Sequence, residues 1–141
     1  MAGMDRGQVR KFLSYGTRTG KLATVRADGS PHVVPIWFVL DGDDVLFTTH
    51  ESSVKAKALL SDGRVSICVD DQTPPYSYVT VTGIVETTTD PELLRHCATR
   101  IGGRYMGEHR ADEFGTRNGV PGELLVRIRP TKVIGHADVA S

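Results

Sequence analysis

The residues whose types and spacing could do chemistry cluster in the run His50-Glu51-Ser52-Ser53-Val54-Lys55-Ala56-Lys57. Two serine hydroxyls stand where a helix N-cap is expected, and two ammonium groups follow within its first turn. Cations there oppose the helix macrodipole, which favours anions at that end. Free backbone N–H groups, the Ser52 and Ser53 hydroxyls, and the Lys55 and Lys57 side chains together suit a bound phosphate. The same pattern also reads as a short amphipathic helix with two solvated lysines, and spacing alone leaves both readings open. His50 abuts this helix start, or is simply a loop histidine in water. Elsewhere the chemistry is sparse. His32, His50, His96, His109 and His136 show no metal-ligand spacing. No GxSxG, HExxH or catalytic-cysteine context occurs, and no GxGxxG follows a strand to open a helix. No side chain is assigned as a catalyst and none as a metal ligand. An anion-competent helix start beside an aromatic-bearing strand suits a phosphorylated planar cofactor, which would itself carry the reactive atom.

These residues need elements to position them. Asp44 to Thr49 reads as a strand leading into the loop. The helix beyond it carries Val54, Ala58 and Leu59 as an apolar stripe and stops at Asp62-Gly63. Upstream, Val9, Phe12 and Leu13 give one buried face to a helix over Asp5–Tyr15. Lys21–Ala27 and Pro31–Leu40 are strands joined by an Asp28-Gly29 hairpin. Pro35 removes a ladder donor and marks an edge or bulge. Trp37 and Phe38 point to opposite faces. Arg64–Asp70 and the long run Tyr76–Thr89 are strands, with Gly83 at a bulge or sharp bend. Asp90 caps a helix with Pro91 at its first position, and that helix is expected to end at Gly102-Gly103. Arg104–Gly122 is polar and glycine-rich, and either holds a short helix or covers a site. Glu123–Arg129 and Lys132–Ala137 are strands separated by Pro130. About six strands and three helices, linked by short connections, predict a mainly β fold: one small antiparallel barrel with peripheral helices.

Composition narrows the function classes. At 141 residues the chain, residues 1–141, is expected to be a single domain. Lysine and arginine number 17 against 17 acidic residues, so no global field favours nucleic acid or a membrane, and any anion site is local. No apolar run approaches the ~20 residues of a membrane span, and the first residues lack the apolar region of a signal peptide. Cys68 and Cys97 have no CxxC or metal spacing and read as free thiols. A cytoplasmic protein is the expectation.

The stretches LATVRADGSPHVVPIWF, SSVKAKAL, DGRVSICVD and YVTVTGIVE, spanning about Gly20 to Glu86, resemble the split β-barrel flavin and deazaflavin oxidoreductases of the pyridoxamine 5′-phosphate oxidase-like superfamily. The resemblance looks closest to the branch that uses the deazaflavin coenzyme F420. It implies a six-stranded split barrel, the FMN-binding split-barrel fold, and a homodimer with a cofactor site at each subunit interface. It implies that Thr48, Thr49, Ser53 and Lys55, helped by the backbone of Ser52 and Val54 and less directly by Lys57, contact the cofactor's phosphate or tail. Pro35, Ile36 and Trp37 would lie along the ring system, and Tyr78, with Tyr76, would approach from the partner chain. The substrate would be a small planar organic molecule near the segment after Gly102. Pyridoxamine phosphate oxidases proper carry an arginine-rich phosphate clamp that has no full match here. Three activities therefore stand as expectations: an F420-dependent reductase, an FMN-dependent reductase or oxidase, and a cofactor carrier without turnover.

Overall fold

The computed structural model describes residues 2–141, ordered along the chain as β1 (Ala2–Gly3), α1 (Arg6–Ser14), β2 (Gly20–Val25), β3 (Pro31–Ile36), β4 (Val39–Asp41), β5 (Asp44–His50), α2 (Val54–Ser61), β6 (Arg64–Asp71), β7 (Ser77–Thr88), α3 (Pro91–Met106), α4 (Ala111–Asn118) and β8 (Glu123–Ala137). A single 3-10 turn, Glu108–Arg110, separates α3 from α4. The strands form one sheet in the order β3-β2-β6-β7-β8-β5-β4, with β1 added to β8, and every pairing is antiparallel. This is the split-barrel fold the sequence resembles. Six long strands carry it, and β1 and β4 are short additions of 2 and 3 residues.

Alternation along the strands explains the curl. Leu22, Ile67, Val79, Val81, Val45, Phe47, Val126 and Ile128 face one interior. Burying a side chain of this size contributes ~1.5–3 kcal/mol, so a strand slipped by one residue would forfeit its whole inward set. Phe38 plugs the same core, and Ala56 and Leu59 of α2 close one end of it. A second, smaller core lies on the opposite face of β5 and β8. There Leu46 and Leu125 meet Val39 and the Leu94, Cys97 and Ile101 stripe of α3. The β5 ladder is thus covered on both sides, which fixes the direction of every side chain along it.

Four details differ from the sequence reading. The expected Pro31–Leu40 strand breaks at Trp37-Phe38, because Phe38 must turn into the core while Trp37 packs against α3. The helix expected to stop at Gly102-Gly103 runs on to Met106, since both glycines are buried and Gly102 lies against Phe114 of α4. Strand β8 passes through Pro130 without a break: the register shift falls between Thr82 and Gly83, and Thr131 is the extra residue. Gly83 does mark the bend, because the Arg129 backbone comes too close for any side chain there. In α2, Val54 is 51% exposed, and Ala56 replaces it beside Ala58 and Leu59 on the buried face. Of the two expectations for Arg104–Gly122, the short helix is real: it is α4. Among the described residues no helix is long and apolar enough to cross a membrane.

Candidate functional site

The site begins where β5 ends. Thr48 and Thr49 point to opposite faces of the strand, as alternation requires. Thr49 is buried at 5% exposure, and its Oγ1 lies 2.9 Å from Ser53 Oγ. Ser53 is the N-cap of α2, and its Oγ accepts a hydrogen bond from the Ala56 amide at 3.1 Å. These two hydroxyls therefore build the helix start from within. The loop is closed by His50. Its Nδ1 accepts from the Ser52 amide at 3.1 Å and lies 2.6 Å from Ser52 Oγ, while its carbonyl accepts from the Ser53 amide at 3.0 Å. Among the described residues, the amides of Val54 and Lys55 are the donors of the first turn left without a partner.

Lys55 and Lys57 part company in the fold. Lys57 is solvent-exposed. Lys55 is half-buried, and burial pushes its ammonium below the usual lysine range, with the Glu123 carboxylate pulling the other way. Lys55 and Thr48 line a cleft of about 290 Å³ together with Pro35, Ile36 and Trp37 from the end of β3. The far wall is Ile101 of α3 and Asn118 of α4. Glu123 is the register partner of His50 across β5 and β8. Burial pushes its carboxyl up, and His50 and Lys55 pull it down.

Trp37 is 39% exposed and is held from one side. Its ring stacks on Tyr105 at 5.1 Å between centroids and 3° between planes, and Phe114 meets it edge-on at 6.2 Å. Tyr105 is itself pinned. Its hydroxyl accepts from the Phe38 amide at 3.2 Å and donates to the Arg18 carbonyl at 2.8 Å. Burial raises the Tyr105 hydroxyl above its ordinary range. Next to it, Arg104 donates to the carbonyls of Gly16 at 2.9 Å, Phe38 at 2.7 Å and Leu13 at 2.7 Å. The Trp37-Phe38 link is thereby fastened to α1 and α3 at once.

Of the residues expected at a cofactor site, the fold brings Pro35, Ile36, Trp37, Thr48 and Lys55 to one cleft. Ser52, Ser53 and the Val54 amide form the helix start beside it. Thr49 turns inward and Lys57 outward. Tyr76 and Tyr78 lie on a different surface, along a cavity of about 750 Å³ shared with Lys21, Cys68 and Asp70. Ile101, Asn118, Glu123 and Tyr105 were missed. Glu123 was visible only as the first residue of a strand, and Asn118 lay in a segment without periodicity. The cleft can thus hold a singly clamped anion at one end and a flat ring system along the Pro35–Trp37 edge.

The sequence model of the family described as pyridoxamine 5′-phosphate oxidase matches residues 6–137. A biliverdin reductase of Mycobacterium tuberculosis (strain CDC 1551 / Oshkosh) that depends on reduced coenzyme F420 is 25% identical over 118 residues, 84% of this chain and 79% of that protein. Among solved structures, a conserved hypothetical protein from Mycobacterium tuberculosis aligns with a TM-score of 0.84 at 28% identity, covering 96% of this chain and 86% of the other. A structure described as an F420 reductase aligns with a TM-score of 0.66 at 30% identity, covering 87% and 94%.

Proposed function

The chain belongs to the pyridoxamine 5′-phosphate oxidase family, and on that premise we propose that it is an oxidoreductase that works with reduced coenzyme F420 on a small conjugated substrate. The observation that carries this reading is the cleft that joins Lys55 and Thr48 to the Pro35-Ile36-Trp37 edge. It fits a ring system bearing a phosphate-linked tail. The similarity to an F420-dependent biliverdin reductase and to an F420 reductase supports the deazaflavin over a flavin. Held in this cleft, the reduced cofactor would supply hydride-transfer chemistry to the acceptor; no residue of the cleft is assigned as the proton donor.

This chain's own residues bind, orient and exclude. Lys55 and the free amides of Val54 and Lys55 hold the phosphate, with the Thr48 hydroxyl beside them. Ser53, capped from within by Thr49, keeps the helix start rigid. The exposed Lys57 is left to the carboxylates of the tail. Trp37, braced by Tyr105, and the Pro35-Ile36 backbone form the wall on which the ring lies, and Ile101 limits water on the far side. At about 290 Å³ the cleft is small for the whole cofactor. A second copy of the chain completes it, bringing Tyr78 and Tyr76 from the other subunit. FMN is the competing cofactor that the split-barrel resemblance also implies. The test is turnover. Protein mixed with reduced F420 and a panel of conjugated acceptors, biliverdin included, is expected to restore the oxidised cofactor's absorbance with at least one of them. Tight binding without reoxidation by any acceptor would instead identify a carrier.

A further inference from the structure

One residue of the cleft has no task in the fold itself. Asn118 lines the cleft with Trp37, Thr48 and Lys55 and is half-buried there. Helix α4 does not need it. The helix ends on Gly119, whose amide donates to the Gly115 carbonyl at 2.9 Å, and asparagine is a weak helix former. Arg110 donates to Glu113 and Arg95 donates to Thr116, whereas the Asn118 carboxamide has no hydrogen-bond partner among the described residues. Its neighbours fix its place along the cleft. Phe114, one turn earlier on the same face of α4, meets Trp37 edge-on at 6.2 Å at the aromatic end. Beyond Asn118 the chain reaches Gly122 at the anion end, where the Gly122 carbonyl accepts from the Glu51 amide at 2.9 Å and the His50 ring lies over Gly122. Gly115 against Thr99 and Gly119 against Arg95 hold this stretch of α4 close on α3. Asn118 therefore stands between the two ends, one helical turn, about 5.4 Å, along from Phe114.

We propose that the Asn118 carboxamide reads the hydroxylated chain joining ring to phosphate, which makes it a specificity-determining residue for a polyol-linked cofactor. The inference rests on the cleft being the cofactor site, and it deepens that reading. A carboxamide offers two N–H donors and an acceptor oxygen, and a polyol offers O–H donors and acceptors in return. The neighbouring walls offer no such match: the Ile36 and Ile101 side chains have no polar atom, and Lys55 only donates. F420 and FMN both carry a ribityl chain between ring and phosphate, so this contact does not choose between them. It disfavours a ring joined to its phosphate by a plain alkyl chain, because Asn118 would then lose water without gaining a partner.

The test is titration of wild-type protein, Asn118→Leu and Asn118→Ala with three ligands, followed by cofactor fluorescence. The ligands are F420, FMN, and an FMN analogue whose ribityl is replaced by an unsubstituted pentyl chain bearing the same phosphate. Asn118→Leu keeps the approximate size of the side chain and removes its hydrogen bonds, and Asn118→Ala adds no apolar bulk to the cleft. Each variant is expected to weaken F420 and FMN by about fivefold and to leave the pentyl analogue within about twofold of its wild-type affinity. Equal weakening of all three ligands would assign Asn118 to the ring or to the shape of the wall, and no weakening of any would return it to solvent; either result overturns the inference. A wild-type preference for FMN would sink the deazaflavin reading alone, because the Asn118 effect is read between FMN and its analogue. Binding of none of the three to wild type would overturn the cofactor reading of the cleft and the role of Asn118 with it.

Discussion

At the scale of the residue, Lys55 carries most of the account. Lys55→Ala is expected to weaken cofactor binding by ~1–3 kcal/mol, the range for a charge-assisted hydrogen bond. Titration by cofactor fluorescence checks it, and an unchanged affinity would return Lys55 to the solvated surface. A pH dependence follows with a definite sign. Burial holds the Lys55 ammonium below the usual lysine range, with Glu123 only partly offsetting it. Anion affinity is therefore full below that lowered value and falls as pH rises through it, earlier than a solvent lysine near ~10.4 would allow. Affinity measured against pH is expected to decline on the alkaline side in wild type and to stay flat in Lys55→Ala. The sequence made Ser53 and Lys55 legible because capping and charge at a helix start are local chemistry. Local chemistry did not separate Thr48 from Thr49, and only the family resemblance ranked Lys55 above Lys57. Those choices depend on which face of β5 and α2 meets the two cores.

At the scale of the element, the helical pair α3–α4 positions the wall of the cleft. The helices approach through glycine: Gly102 lies against Phe114, and Gly115 against Thr99. Gly115→Ala would force the pair apart and is expected to cost ~1–3 kcal/mol, the usual penalty for overpacking. The variant should also change the emission of Trp37, the single tryptophan, because Phe114 rests on its edge. Urea unfolding read by tryptophan fluorescence measures both effects. Tyr105→Phe keeps the stack on Trp37 and removes one hydroxyl. It leaves the buried Phe38 amide without its acceptor and is expected to cost ~1–3 kcal/mol. Unaltered stability would show that the hydroxyl is not what fastens the Trp37-Phe38 link. Helix α3 was legible from its Asp90 cap and from Pro91 at its first position. Its true end was not, because two glycines that read locally as a stop serve a tertiary contact that overrides their low helix propensity.

At the scale of the whole molecule, the outer face of β3, β2, β6 and β7 is the open question in the fold's economy. Val33, at 64% exposure, continues across Ala23, Ser66 and Thr82 in one register row, and Tyr78 and Ile134 lie further along the same face. On the proposed reading, a second copy of the chain would cover this face and bring Tyr78 to the Lys55 cleft. Sedimentation equilibrium is expected to give a dimer. Tyr78→Ala is expected to weaken cofactor binding although it is remote from Lys55 within one protomer. A monomer that binds cofactor with full affinity would remove both tyrosines from the site. The barrel itself was legible from alternation, from the Asp28-Gly29 turn and from the Gly83 bend. The strand count blurred where the chain must satisfy two cores at once, at Trp37-Phe38, and where β8 absorbs Pro130 in a bulge rather than a break. The central claim is that this cleft is a deazaflavin site. The most direct measurement is a side-by-side titration of the purified protein with coenzyme F420 and FMN. The account predicts preferential binding of F420, weakened by Lys55→Ala; preferential binding of FMN, or F420 affinity indifferent to Lys55, would contradict it.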